Sequence, residues 1–169
     1  MRSLWRDSNE SLCDNHSNLI GPTGASMAFH FYELTPQHYI ASINWISKIS
    51  SPSEWNLTAE EVAILLGMNV SEFIRLQEMA LEANEFSLRR ESAERISLLL
   101  GIWKRLQLLG FDEKTAIHAF NRVNTGELMK GKSIKIFLLE NNSMAAFYAV
   151  NIYLQASNGN EFFRASIPH

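Results

Sequence analysis

Residues Glu94 to Gly110 read ERISLLLGIWKRLQLLG, apolar on nearly every side, with the cations Lys104 and Arg105 adjacent in mid-run. A helix carrying Ile96, Leu98, Leu99, Leu100, Ile102, Trp103, Leu106, Leu108 and Leu109 cannot hide all of them behind one neighbour. Either it runs through the centre of a helical bundle, or one side is buried by a second protein. The central position is the stronger expectation, because helices that are hydrophobic all round are usually buried in their own domain. Lys104 and Arg105 are then expected on a narrow wet edge, with their stems lying on apolar surface.

The rest of the chain supplies partners for such a helix. Its 169 residues are 46% hydrophobic, enough for one packed domain or two small ones. No uninterrupted apolar run reaches the roughly 20 residues of a membrane helix, so no membrane association is expected. The single cysteine, Cys13, rules out an intramolecular disulfide and fits a cytoplasmic location. Residues 1–27 are polar and read as a disordered leader without the apolar core of a secretory signal. Met27 is a second candidate start.

Helix punctuation follows. Thr35-Pro36 places a cap before a proline at the first helical position. Ile40, Ile43, Trp45 or Ile46, and Ile49 then fall on one face. Pro52 breaks that helix. Thr58-Ala59-Glu60-Glu61 is a capping box opening a second helix, which Gly67 ends. A third helix is expected from about Ser71, with a polar break at Asn84 to Ser87. The long apolar helix covers about Arg89 to Leu109, with Gly110 at its end. Further helices are expected at Glu113 to Phe120, at Ile134 to Leu139 and after the cap Ser143. A loop carrying Gly126 and Gly131 lies between the first two of these. No strand pattern or internal repeat is evident, and the fold class is all-α: a helical bundle with a helix-turn-helix-like part, residues 28–87, before a second helical domain, residues 88–159. Residues 160–169 form a tail.

Charge divides the helices. The net charge is −3, but Glu54 to Glu94 holds nine Glu against Arg75, Arg89 and Arg90. Arg95 to Glu140 holds eight Lys or Arg against four acids. An acidic half therefore precedes a basic half. Leu57 to Gln77 has the outline of a helix-turn-helix: Ala63 is small at the crossing, Gly67 permits the turn, and Val70, Phe73 and Leu76 recur at helical spacing. Ser71, Arg75 and Gln77 are the candidate DNA-contacting residues. Glu72, Glu78 and Glu82 on the same helix oppose phosphate binding. A packing element of helix-turn-helix shape fits the composition better than a reader of bases.

Catalytic and metal-binding patterns are thin. His16, His30, His38, His118 and His169 are scattered, and the pair Cys13 and His16 has no second half, whereas structural zinc takes four ligands. No phosphate-binding loop, nucleophile elbow or metalloprotease motif is present. Neither an enzyme nor a cofactor is expected, and there are no candidate catalytic or metal residues.

The segments ERISLLLGIWKRLQLLGFDEKTAIHAFNRVN, GKS and SMAAFYAVNIYLQASNG, in that order, resemble the Xre/MbcA/ParS antitoxin family. The resemblance begins near Trp55 and reaches about Gly159, some two-thirds of the chain. Glu94-Arg95-Ile96 with Leu99, Leu100 and Trp103 carries it most strongly, together with Tyr148-Ala149-Val150 and Tyr153-Leu154. Asn124 and Gly131 match the family's central loop. The departures are Val123 and Ser133-Ile134 where proline is common, Asn151 and Ile152 where basic residues are common, and Gln77-Glu78 at the end of the second helix of the turn motif. The resemblance implies an antitoxin of a type II toxin–antitoxin system, in which a helix-turn-helix-like region precedes a toxin-binding domain. Its partner would be a toxin of the RES class, which attacks NAD or uses it for ADP-ribosylation. It also implies a homodimer and repression of the chain's own operon, whereas the acidic residues around the turn motif argue that operator DNA is held weakly at most. On the last helix Phe147, Val150 and Leu154 form the core stripe, while Tyr148 and Ile152 point elsewhere. Tyr148, Ile152, Tyr153, Phe162 and Phe163 are the candidate toxin-binding residues. A helix-turn-helix regulator without a toxin and an orphan dimerisation module remain the alternatives.

Overall fold

The computed structural model of the chain describes residues 34–109 and 113–157. Seven helices occur among them, and the all-α expectation holds. They are α1 (Pro36–Ile49), α2 (Ala59–Leu66), α3 (Val70–Leu81), α4 (Arg90–Leu109), α5 (Glu113–Asn121), α6 (Ile134–Glu140) and α7 (Met144–Ala156). The one extended pairing among the described residues is an isolated antiparallel bridge, Asn124 with Lys132, inside the α5–α6 loop. The leader with Cys13 and His16, also His30, Gly110, and the tail with Phe162, Phe163 and His169 lie outside the described residues.

Caps set the helix starts. The Thr58 hydroxyl accepts from the Glu61 backbone N–H at 3.2 Å, and the Glu61 carboxylate accepts from the Thr58 N–H at 2.9 Å. Two of the orphan donors at the start of α2 are thereby satisfied. Thr35 builds the same box at α1 with His38, whose Nδ1 accepts from the Thr35 N–H at 3.0 Å. Helix α3 begins at Val70 rather than Ser71, because Asn69 is its cap: Asn69 Oδ1 accepts from Glu72 N–H at 2.7 Å. Its end is also earlier than expected. The chain leaves the helix after Leu81, and the non-helical link runs on to Arg89.

The long helix is central, as expected. Its 20 residues span about 30 Å and pack on α7, α5, α2 and α1. Ser92, Arg95, Ile96, Leu99, Ile102 and Leu106 make its buried stripe. Leu98, Leu100, Trp103 and Leu109 are half-buried beside it, while Leu108 is exposed. Helix α4 runs parallel to α7, since Glu94 bonds Tyr148 and Leu98 bonds Asn151 in rising order along both. Gly101 lets Asn151 of α7 lie close against α4, since a Cβ there would sit 2.7 Å from Asn151 Oδ1. The wet-edge expectation fails for Arg105. Its Nη1 donates to Asn151 Oδ1 at 2.9 Å and to its own helix at the Gly101 carbonyl. A polar seam between the two helices draws it inward.

One core joins the two regions divided at residue 87 in the sequence. It contains residues from every helix, α1 to α7. Trp55, in the α1–α2 link, stacks on Phe120 of α5 with ring centroids 3.8 Å apart. Trp45 meets both Trp55 and Trp103 edge to face. Lys135 of α6 pairs with Glu61 of α2 at 2.8 Å and donates to the Asn56 carbonyl. The α2–α3 turn is gripped from α4. Gly67 turns there with φ +66°, a conformation that costs other residues about 1–2 kcal/mol. Arg95 is buried against it, donating to the Leu65 carbonyl at 3.2 Å, to Glu91 at 2.8 Å and to Asn142 in the α6–α7 link. Its guanidinium also lies 5.4 Å from the Phe147 ring centroid. Arg89, just ahead of α4, donates to the Gly67 carbonyl and pairs with Glu72 at 3.2 Å.

Candidate functional site

Helix α7 owes its position to two features of its sequence. Ser143 caps it, accepting from the Ala146 N–H at 3.3 Å, and Ala146, Phe147, Val150, Asn151 and Leu154 bury one side. Asn151 is the one polar residue of that side; its amide donates to the Leu98 and Phe147 carbonyls and its oxygen accepts from Arg105. Every polar atom of that side chain is therefore partnered, which makes its burial tolerable. These contacts set which side of the helix faces the core.

That orientation leaves Tyr148 and Ile152 outward, 45% and 64% exposed. Four residues apart, they stand one above the other on the same face. Exposed apolar residues of this size are unremarkable singly; here two of them are neighbours on one helix face. Tyr148 is also held. Its hydroxyl donates to Glu94 Oε1 of α4 at 2.6 Å. This bond to a carboxylate, with burial and the carboxylate's charge adding to it, raises the phenol above its ordinary pKa.

The other sequence-predicted residues stand elsewhere. Tyr153 is about 100° round the helix from Ile152. It is half-buried, and its hydroxyl donates to Asn124 Oδ1 at 3.1 Å. Asn124 is buried and also accepts from the Gly126 N–H, so Tyr153 straps the α5–α6 loop to α7. A Cβ on Gly126 would collide with the Tyr153 oxygen, so a side chain there would push that hydroxyl off Asn124. A shallow cavity of about 500 Å³ opens beside it, lined by Glu127, Leu128, Lys130 and Tyr153. The structure thus brings Tyr148 and Ile152 together and places Tyr153 on a different surface.

On α3, Ser71 and Arg75 are exposed one turn apart. Gln77 is turned inward, donating to Ser47 of α1 at 2.9 Å. The outward face around Arg75 carries Ile74 and Glu78, both exposed, and Leu81 stands exposed beyond them. Arg75 Nη1 lies 3.5 Å from Met79 Sδ. One cation beside a carboxylate and two aliphatic residues is poor chemistry for phosphates. His118 is exposed on α5, and among the described residues no three His, Cys, Asp or Glu come together as a metal group would need. No described helix is long and apolar enough to cross a membrane.

Two participants escaped sequence reasoning. Glu94 and Arg95 were visible as the start of the long apolar segment, but their opposite fates were not. Adjacent on α4, they point about 100° apart, Arg95 into the bundle and Glu94 toward Tyr148. Compared with family models, with characterised proteins and with solved structures, the chain matches none.

Proposed function

We propose that this chain is the antitoxin of a type II toxin–antitoxin pair. It binds an NAD-consuming toxin of the RES class and blocks it, acting in the cytoplasm and without a cofactor, as its resemblance to the Xre/MbcA/ParS family implies. The observation that supports the reading best is the pair Tyr148 and Ile152, exposed on a last helix whose other side is locked into the core. A rigid helix face presenting an aromatic anchor next to an aliphatic one suits capture of another protein. The chain does no chemistry in this reading; its work is steric, and a homodimer would present the face twice.

Operator binding takes second place. Ser71 and Arg75 are available, but Gln77 is engaged with Ser47 and Glu78 shares their face. DNA affinity in the absence of the toxin is expected to be weak, below the nanomolar range of specific regulators.

Co-expression with the product of the adjacent gene, followed by purification on one tag, tests the reading. A stable complex is expected, and the toxin's NAD consumption should fall as the chain is added. Failure to co-purify, or a complex in which NAD is consumed at the rate of the free toxin, would contradict it.

A further inference from the structure

We infer that Glu94 is a positioning residue, which holds Tyr148 in its docking conformation and makes the pair accept, rather than donate, hydrogen bonds at the partner surface. The inference rests on the proposed docking face and specifies the chemistry of what fits there. Tyr148 is 45% exposed, and an exposed tyrosine is ordinarily free to change rotamer. Here its hydroxyl is tied at 2.6 Å to Glu94, a residue of the central helix.

Helix α4 is placed by its own buried stripe, so the backbone that carries Glu94 is set by the core. The anchor is thus ordered before any partner arrives. Immobilising a flexible side chain on binding costs roughly 0.5–1.5 kcal/mol, and this bond removes that cost in advance. A phenol has a single proton, and Tyr148 directs it to the Glu94 carboxylate. What remains at the surface is a ring, the phenol's lone pairs and a carboxylate, which are all acceptors. A complementary partner supplies donors here, such as an arginine, a lysine or a free backbone N–H. A phosphate or a carboxylate at this point would meet only acceptors.

The product of the adjacent gene serves as probe, with its dissociation constant measured against purified variants of the full chain. Glu94→Ala frees Tyr148 and is expected to weaken binding about two- to tenfold. Tyr148→Phe removes the same bond and should weaken it similarly, and the double variant should lose less than the product of the two single losses. Glu94→Gln keeps an acceptor oxygen for the phenol but exchanges the other surface acceptor for a donor, so it should recover only part of the affinity lost in Glu94→Ala. Melting temperatures should change little across the four variants, as both side chains lie at the surface. Wild-type affinity in Glu94→Ala overturns the inference. So does multiplication of the two single losses, or a Glu94→Gln loss as large as that of alanine, which would assign the effect to charge. Tyr148→Ala and Ile152→Asp separate the two levels of argument. If both bind as wild type, or wild type does not bind, the docking face itself is wrong and the inference goes with it. If both bind poorly while Glu94→Ala is unaffected, the face stands and the inference alone falls.

Discussion

Replacing Arg95 by methionine keeps the aliphatic stem and removes the guanidinium. Four losses follow, one of them the hydrogen bond to Asn142, whose side chain stands at the surface and returns to water. The Leu65 carbonyl, near the C-terminal end of α2, loses the donor that Arg95 supplies at 3.2 Å. A buried acceptor left unsatisfied costs about 1–3 kcal/mol. The contact over the Phe147 ring, at 5.4 Å, is worth about 0.5–2 kcal/mol. The pair with Glu91 is worth little, because the Glu91 side chain is 63% exposed and returns to water; such pairs contribute about 0–1 kcal/mol. Against these stands the guanidinium's own desolvation, which methionine does not suffer. The net expectation is a destabilisation of about 2–3 kcal/mol. Glu91→Gln should cost less than about 1 kcal/mol. Urea unfolding followed by far-ultraviolet circular dichroism measures both, provided the slope with denaturant is unchanged. Equal costs in the two variants would show that the ion pair, and not the carbonyl at the α2–α3 turn, is what Arg95 serves. A neutral Arg95→Met would remove both roles.

Backbone geometry gives a matched pair of expectations by the same assay: Gly67→Ala should destabilise by about 1–2 kcal/mol, and more if Arg95, 3.1 Å from the added Cβ, cannot shift. Ala83→Gly should stabilise slightly, since Ala83 sits at φ +55° after α3, where glycine relieves strain. Leu99, fully buried on α4, should cost about 2–5 kcal/mol on truncation to alanine, whereas Leu108→Ala, 86% exposed, should stay within about 0.5 kcal/mol. Tyr148 should ionise above the ordinary phenol value of about 10 in an ultraviolet pH titration, and Glu94→Ala should bring it back. Because the folded-state value is the raised one, the bond's contribution is fully present below the ordinary phenol value and is lost as pH climbs through the raised one.

The helices were legible where local chemistry sets them. Thr35-Pro36, the Thr58 to Glu61 box, Gly67 and Ser143 each act within one turn of themselves, so their sequence spacing is enough. The buried stripe of α7 was legible for the same reason, since Phe147, Val150 and Leu154 repeat at helical period. What stayed hidden depends on distant partners. Arg95 is tolerable in the core only because the Leu65 carbonyl and Asn142 come to it from 30 and 47 residues away. Arg105 turns from the wet edge because Asn151 lies across the seam. Gln77 looked like a base-contacting residue on its own helix, and becomes a packing residue once Ser47 of α1 is beside it. The candidate face was half legible: Tyr148 and Ile152 could be placed outward from periodicity, but the Glu94 bond could not.

Growth rescue with Ile152→Asp tests the docking face most directly. The side chain is 64% exposed and outside the core, so the variant should fold and melt as wild type does. Cells making the toxin should grow when supplied with the wild-type chain and fail to grow when supplied with Ile152→Asp at equal abundance. Full rescue by the folded variant would contradict a role for the outward face of α7.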